Sequence, residues 1–255
     1  MGVPRLKEAR TLTFKVSALP AETSKPAYRN RILSRLDAHD INLLQPHLKP
    51  VELRLRQRLE VANRPVETMY FIEDGLVSVV ASARPGGKQA EVGLIGFEGM
   101  TGQAIVTGAG QSPNDAVMQS DGRGHCIDAR IFQEILARSS TLTRRCVLYG
   151  FVFHIQAAQT VLANAGASAE QRLSRWLLMA QDRLSSDELR LTHETLSTML
   201  GIRRPGVTIA LQRLEKLELV STARGSLLVQ DRAGLVKLAD GFYGVPEAEY
   251  ERLVG

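Results

Sequence analysis

The chain has 255 residues, enough for one large or two modest domains with a substantial apolar core. It is 44% apolar and 23% charged, as globular proteins usually are, and its two cysteines exclude a disulfide framework or a four-cysteine metal cluster. The net charge of +5 favours a polyanionic partner, while the absence of an apolar signal core or a run near 20 apolar residues predicts a cytoplasmic protein without a membrane span.

The first part of the chain combines an irregular segment with a helical one. Residues 1–28 carry scattered charges and prolines without a clear period, and we predict a mobile arm there. Residues 29–44 have apolar side chains at helical spacing, and Lys49-Pro50 closes this segment. We therefore predict one helix over residues 29–44.

Short strands follow, because the apolar period changes to two from Val51. Residues 51–55 alternate between apolar and charged side chains, which predicts a strand with one buried face. Glu73-Asp74-Gly75 separates two apolar runs at residues 69–72 and 76–80, a pattern typical of a hairpin. With another turn at Pro85-Gly86-Gly87 and a further strand at residues 91–95, residues 29–138 are predicted to form a small antiparallel roll or barrel.

Residues 141–165 are apolar almost all round after Arg145, so a helix here must be covered on more than one side. One face would pack on the roll, and the other, formed by Cys146, Tyr149, Phe153 and Gln156, would meet a second subunit. The alternative is the core helix of a monomer. Gly166 is expected to end the helix, and Ser168 with Gln171 has the spacing of a capping box for a new helix over residues 169–183.

Residues 191–229 have the pattern of a winged helix-turn-helix. Thr192 can cap a short helix that Gly201 ends, and Pro205 suits the first turn of a second helix. The apolar side chains of this second helix recur at spacings of three and four, so one face should be buried: Val207, Leu211, Leu214 and Leu217. Its opposite face carries polar and basic side chains: Arg203, Arg204, Thr208, Gln212, Arg213 and Lys216. Two apolar runs around Arg224-Gly225 then predict a hairpin, the wing.

This pattern favours binding to double-stranded DNA. The major groove admits one α-helix, whose N-terminal residues reach the base edges, and arginine can pair with a guanine edge through two hydrogen bonds. The alternative is a two-helix hairpin with a solvated basic face. Arg203-Arg204-Pro205, placed between a glycine turn and a wing, favours the DNA interpretation over that alternative.

Through Thr192, Gly201, Val207, Leu214 and Leu219, residues 191–229 resemble the DNA-binding module of the cyclic-AMP receptor protein and fumarate–nitrate reduction regulator (Crp/Fnr) family. Residues 66–79 (VETMYFIEDGLVSV) are similar to the sensory domain of that family. The resemblance implies a transcriptional regulator in which a sensory β-roll precedes a long dimerisation helix and the DNA module. It also implies a homodimer and admits RNA polymerase as a partner.

By position, Arg204 matches the base-reading arginine of the family, and Thr192, Arg203 and Gly206 fall where its members often touch phosphates. We take as candidate DNA-binding residues Thr192, Arg203, Arg204, Gly206, Thr208, Gln212, Arg213 and Arg224. Pro205 and Ile209 depart from the cyclic-AMP receptor, where a glutamate and a second arginine stand, so its operator sequence should not be carried over.

The effector site departs further from the family pattern. Gly96, Glu98 and Gly99 keep a glutamate among glycines and are the candidate effector-binding residues. Residues 112–116, where the family has a phosphate-binding arginine, contain Asp115 and no cation, which argues against a cyclic nucleotide. No other cofactor is evident. His125-Cys126 lacks a second pair of ligands, so no metal site is predicted.

The predicted fold is α+β, with an N-terminal antiparallel β-roll of the cyclic-nucleotide-binding jelly-roll type, a long dimerisation helix and a C-terminal winged helix-turn-helix. The predicted divisions are an arm (1–28), the roll (29–138), the dimerisation helix (139–165), the DNA module (166–236) and a tail (237–255). The aromatic tail could dock on the body or on a partner. Two alternative functions stay open: a small-molecule sensor whose helix-turn-helix binds protein, and an enzyme, although no catalytic residues stand out.

Overall fold

We describe the protein from a computed structural model, over residues 28–84, 86–184, 186, 188–223 and 225–255. The predicted arm, apart from Tyr28, lies outside these residues. The described chain is α+β, as the sequence predicts, and all the strand pairs within it are antiparallel.

The N-terminal part opens with two short helices and a roll of seven strands. The helices are α1 (Arg31–Ser34) and α2 (Ala38–Leu44). The strands are β1 (Lys49–Leu53), β2 (Arg58–Glu60), β3 (Thr68–Asp74), β4 (Val77–Ser82), β5 (Gln89–Ile95), β6 (Asp115–Met118) and β7 (Gly122–Asp128). A short helix, α3 (Gln103–Val106), lies between β5 and β6, and α4 (Ala129–Leu136) follows β7. The strands form two sheets, in the orders β1-β7-β3 and β2-β6-β4-β5.

Three local predictions for this part are wrong in detail. The helix expected over residues 29–44 is divided, because the side chain of Asn30 caps α1 and that of Asp37 caps a second helix. β3 and β4 do not pair as a hairpin: β3 pairs with β7, whereas β4 pairs with β5 and β6. The first strand ends at Leu53, and Leu55 is exposed, because the chain turns at Arg56 with a φ of 67°.

The long helix α5 (Ser140–Gly166) ends at Gly166, as predicted, but presents a different face to solvent. Four residues were expected to meet a second subunit: Cys146, Tyr149, Phe153 and Gln156. Phe153 is partly buried against the roll, and the other three are buried within the chain. The large apolar side chains that α5 exposes are those of Val147, Phe151, Val161 and Leu162. Because the helix is apolar nearly all round, its sequence did not indicate which face the roll covers.

No membrane span was predicted, and one described helix meets the length and composition criterion for such a span. Ser140–Gly166 is long and apolar enough to cross a membrane by length and composition, with a mean hydropathy of 1.4, and 33% of its apolar window is buried inside the chain. Core helices meet the same criterion.

The C-terminal part contains a helix-turn-helix with a small sheet, followed by a helical tail. Its elements are α6 (Ala169–Arg183), β8 (Glu188–Leu189), α7 (His193–Leu200), α8 (Arg204–Lys216), β9 (Val220–Ala223), β10 (Ser226–Val229), α9 (Arg232–Ala239) and α10 (Val245–Leu253). The sheet order is β8-β10-β9. The capping box of Ser168 and Gln171 starts α6, as predicted.

The roll and the helix-turn-helix share a continuous core. Leu76 and Leu94 of the roll belong to the same buried cluster as Trp176 and Leu177 of α6. The tail docks on the body of the chain, because Tyr250 of α10 is buried and its hydroxyl donates to the Glu98 carbonyl at 2.7 Å. This packing answers the question that the sequence left open about the aromatic tail.

Candidate nucleic-acid interface

The turn between α7 and α8 is built from the residues that the sequence indicated. The backbone N–H of Thr195 donates to Thr192 Oγ1 at 3.1 Å, so Thr192 caps α7. Gly201 ends this helix in the left-handed region, with a φ of 63°, which favours glycine. Pro205 lies in the first turn of α8, where a missing N–H costs no hydrogen bond. The end of α7 and the start of α8 therefore follow from local sequence signals.

One face of α8 is buried against α6 and α7. Val207, Leu211 and Leu214 are buried, as predicted, and Ala210 joins them. The prediction is wrong for Leu217, which is 51% exposed, because α8 ends at Lys216 and Leu217 lies past its last turn.

The other face of α8 is open to a duplex. Arg203, Arg204, Gln212 and Arg213 are exposed, as is Thr192 at the start of α7, while Gly206 and Thr208 are half-buried. A structure with Arg203, Arg204 and Gln212 in the interior would have ended the DNA interpretation. Their exposure leaves the N-terminal half of α8 free to enter a major groove.

The base-reading candidate has a local partner that the sequence analysis missed. Arg204 lies 2.7 Å from a carboxylate oxygen of Glu194 on α7, and both side chains are largely exposed. Exposed ion pairs contribute about 0–1 kcal/mol, so Arg204 can exchange Glu194 for a guanine edge or a phosphate at little cost. The exposed Glu194 carboxylate could itself accept a hydrogen bond from cytosine N4.

Two further side chains on this surface were not predicted. His193 Nδ1 lies 3.1 Å from Thr208 Oγ1 and so connects α7 to α8. Ile209 is 62% exposed beside these polar groups. An apolar side chain in a major groove can contact a thymine methyl group, which gives Ile209 a chemical reason to lie on the surface.

Arg224 lies outside the described residues. The wing strands β9 and β10 lie on either side of it and pair as a hairpin, as predicted. Arg213 lies in the last turn of α8, away from the turn between α7 and α8, and its Nε is 3.9 Å from a carboxylate oxygen of Glu170 on α6.

Residues 171–238 match the family model described as the Crp-like helix-turn-helix domain. The chain carries a Crp-like helix-turn-helix domain. This match covers the turn, α8 and the wing described above. No curated protein matches the chain.

Solved structures show how widely this fold is shared. A protein assigned to the crp/fnr family of transcriptional regulators, from Eubacterium rectale, superposes with a TM-score of 0.64 at 17% identity, over 80% of this chain and 95% of its own. FixK2 from Bradyrhizobium japonicum superposes with a TM-score of 0.61 at 14% identity, over 75% of this chain and 96% of its own. TTHB099, a CRP-family transcriptional regulator from Thermus thermophilus, superposes with a TM-score of 0.62 at 18% identity, over 74% of this chain and 96% of its own. The chain thus has the fold of Crp/Fnr-type regulators, in which the Crp-like domain follows a β-roll.

The three candidate effector residues lie at the contact between the roll and the Crp-like domain. Glu98 accepts a hydrogen bond from Arg183 Nε of α6 at 2.7 Å, and the N–H of Gly96 donates to Glu98 at 3.1 Å. A Cβ at Gly99 would overlap the hydroxyl of Tyr149. These contacts give the two glycines and the glutamate a packing role.

A separate cavity of about 290 Å³ lies inside the roll, beside α3. Glu60 lines it, and burial raises the pKa of this carboxyl even though the Gly102 N–H donates to it. Asp115 does have a neighbouring cation, contrary to what its sequence neighbours suggested, because Arg58 of β2 approaches to 3.8 Å. Neither Arg58 nor any other arginine is among the described residues that line this cavity.

A buried carboxyl of the roll makes a hydrogen bond to the Crp-like domain. Glu91 of β5 accepts hydrogen bonds from Ser78 Oγ at 2.6 Å and from Trp176 Nε1 of α6 at 2.8 Å. Burial raises the pKa of Glu91 to about 7, although these hydrogen bonds and the charges of Arg175 and Arg183 lower it. This contact was not predicted, because Glu91 and Trp176 are 85 residues apart.

Proposed function

We propose that the protein is a sequence-specific DNA-binding transcriptional regulator of the Crp/Fnr type. The observation that carries this proposal is the exposed N-terminal end of α8, with Arg203 and Arg204, on a domain that matches the Crp-like family. In this proposal Arg204 reads a base edge, while Thr192 and Arg203 bind phosphates. Gly206, Thr208, Gln212 and Arg213 line the same approach, and Arg224 of the wing is a further phosphate contact.

The proposed regulator is a homodimer through α5. The exposed positions Val147, Phe151, His154, Ala158 and Val161 follow one another at spacings of four, three, four and three. This is the heptad spacing of two helices that pack side by side. A second copy of α5 would bury Val147, Phe151 and Val161, which are half exposed or more in the single chain.

A two-fold axis along α5 would place two copies of α8 for successive major grooves. One helical turn of DNA is about 34 Å, so the operator should be an imperfect palindrome with half-sites one turn apart. The proposed location is the cytoplasm, where DNA and RNA polymerase are available as partners, and a twin helix rather than lipid would cover α5.

The regulating signal is proposed to act on the roll, and a cyclic nucleotide is not the proposed effector. The support for this is chemical, because a cyclic phosphate needs a cationic partner and the described lining of the roll cavity offers Glu60 instead. The proposal includes no catalytic activity.

Selection from random double-stranded oligonucleotides tests the proposed function. The purified full chain should enrich a palindrome, and Arg204→Ala should relax the preference at one position of each half-site. Failure to enrich any sequence, with or without cell extract as a source of effector, would contradict the proposal. That result would favour the alternative in which the helix-turn-helix binds protein.

A further inference from the structure

A second cavity, of about 420 Å³, lies where five parts of the chain meet. Its walls come from α1, from the segment after β5, from α5, from α6 and from the tail that contains α10. Small-molecule sites are commonly about 300–1,000 Å³ in size. Five aromatic side chains line this junction cavity: Phe97, Tyr149, Phe153, Tyr243 and Tyr250.

The tail closes the junction cavity through specific contacts. Tyr243 donates to Asp182 of α6 at 2.6 Å, and Tyr250 donates to the Glu98 carbonyl of the roll at 2.7 Å. The carbonyl of Val254 accepts from Arg35 and from Arg145 of α5, at 3.1 and 3.0 Å. A molecule in this cavity would therefore touch the roll, the long helix and the Crp-like domain at once.

One carboxylate in the lining is placed to bind a cation. Four carboxylates, those of Glu98, Asp182, Glu247 and Glu251, face two guanidinium groups, those of Arg31 and Arg183. Both guanidinium groups already have carboxylate partners, since Arg183 binds Glu98 and Arg31 binds Glu251. Asp182 also binds Arg232 at 2.7 Å, and Glu251 lies 4.0 Å from Arg35. Among the described residues, Glu247 is therefore the lining carboxylate that has no ion-pair partner.

Two buried polar atoms in the lining lack a hydrogen-bond partner among the described residues. One is Glu247 Oε1, whose companion oxygen accepts from the Gly244 N–H at 3.1 Å. The other is the hydroxyl of Tyr149, a side chain that is 3% exposed. Burial raises the pKa of Tyr149 well above its usual value, so this hydroxyl is neutral and can accept or donate. Buried polar groups are nearly always paired, so Glu247 Oε1 points to a polar occupant of the cavity. The Tyr149 hydroxyl also interacts with the backbone of Met100 and can make a further hydrogen bond.

We propose that the junction cavity binds a small organic cation, namely an amine attached to a flat apolar group. The ammonium donates to Glu247 Oε1 and is compensated by the Glu247 charge, which has no ion-pair partner among the described residues, and the Tyr149 hydroxyl supplies a second polar contact. The apolar group packs between aromatic side chains, which attract cations through their ring faces and bury flat groups well. This site differs from the cavity inside the roll in position and in charge, although Tyr149 and Phe153 line both cavities.

Occupancy of the junction cavity would also regulate DNA binding, a consequence that rests on the proposed function. The occupant would bridge the roll to α6, which leads into the helix-turn-helix. We expect it to hold the Crp-like domain on the roll and so to change the affinity for operator DNA.

Isothermal titration calorimetry on the full chain tests the binding claim with three probes of the same shape. Phenethylamine is the cation, phenethyl alcohol the neutral analogue and phenylacetate the anion. Phenethylamine should bind best and phenylacetate worst. Absence of phenethylamine binding, or equal binding of the three probes, would overturn the proposal.

Variants locate the site. Glu247→Gln keeps an oxygen that can accept from Gly244, and it should weaken phenethylamine binding about tenfold, the effect of one charge-assisted hydrogen bond. Tyr149→Phe should weaken it a few-fold and provides a second test if the first variant does not fold. Glu249→Gln is the matched control, because Glu249 lies on the same helix, pairs with Arg252 and does not line the cavity. Equal affinity of the control, Glu247→Gln and Tyr149→Phe would place the amine elsewhere and overturn the proposal.

Operator binding with and without phenethylamine separates the two claims. A change in operator affinity supports regulation through the junction cavity. Binding of phenethylamine without such a change would leave the site in place and refute the regulation. A chain that binds no DNA would refute the proposed function, while calorimetry would still decide about the cavity.

Discussion

Glu91 gives the most specific prediction for stability, because it is a buried carboxyl at the contact between the roll and the Crp-like domain. It is 5% exposed, and Ser78 and Trp176 donate to its two oxygens. Burial, the largest cause, raises its pKa from an ordinary 4.5 to about 7. Between these two pH values the folded chain holds a proton that the unfolded chain has lost. The free energy of unfolding therefore falls as the pH rises through about 7.

The size of this effect follows from proton linkage. Each pKa unit corresponds to about 1.4 kcal/mol, and a carboxyl with a folded pKa near 7 lowers the free energy of unfolding by about 1.4 kcal/mol between pH 6 and pH 8. Glu91→Gln should remove this dependence, because glutamine has an oxygen for the Trp176 N–H and an amide N–H for Ser78 Oγ.

Urea unfolding at pH 6 and pH 8 measures the effect, at one fixed protein concentration because the proposed dimerisation would contribute to stability. Other groups titrate in the same range. The quantity to compare is therefore the change in the free energy of unfolding between pH 6 and pH 8 in the original chain, minus the same change in Glu91→Gln. We expect about 1.4 kcal/mol for this double difference. The exposed Glu188 provides the control, and Glu188→Gln should behave like the original chain. Equal pH dependence in the original chain and in Glu91→Gln would refute the reasoning.

Three further predictions concern DNA binding and assembly. Arg204→Ala should weaken binding to the selected operator by about 1–3 kcal/mol and to scrambled DNA much less, and equal losses in fluorescence anisotropy titrations would exclude base reading. Arg203→Ala should weaken binding to all sequences alike and reduce the salt slope by about one, which titrations at several salt concentrations measure; a loss confined to the operator would contradict a phosphate role. Phe151→Glu should give monomers in analytical ultracentrifugation, because it places like charges in the proposed helix pair, whereas Val236→Glu on α9 should leave the assembly unchanged. A stable dimer of Phe151→Glu would place the interface elsewhere.

The helix-turn-helix of the Crp-like domain could be predicted well because the sequence signals that define it are local. Thr192, Gly201 and Pro205 each act within one turn of their own position, and the structure uses all three as expected. The capping box of Ser168 and Gln171 is local in the same sense. The error at Leu217 is the usual one at a helix end, where the apolar period continues after the helix has stopped.

The roll could be predicted only as a class. The residues around Glu73-Asp74-Gly75 have the composition of a hairpin, yet the strands on either side pair with different partners in two sheets. Strand pairing of this kind depends on distant segments, here β6 and β7, which the local pattern does not identify. The sheet assignment therefore lay beyond single-sequence reasoning.

Contacts between distant parts of the chain were the least predictable feature. The helix α5 is apolar nearly all round, so its sequence could not show that Tyr149 and Gln156 face inward while Phe151 faces outward. The contacts of Glu91 with Trp176, and of Glu98 with Arg183, each span 85 residues. The junction cavity arises from such contacts, which is why sequence analysis found no trace of it.

Hydroxyl-radical footprinting on the selected operator tests the central claim most directly, namely that two copies of α8 enter successive grooves of one duplex. The account predicts two protected patches about one helical turn, ~34 Å, apart on one face of the DNA. Arg204→Ala should keep the spacing and lose affinity. A single patch, or two patches whose spacing does not match whole turns of the duplex, would contradict the account.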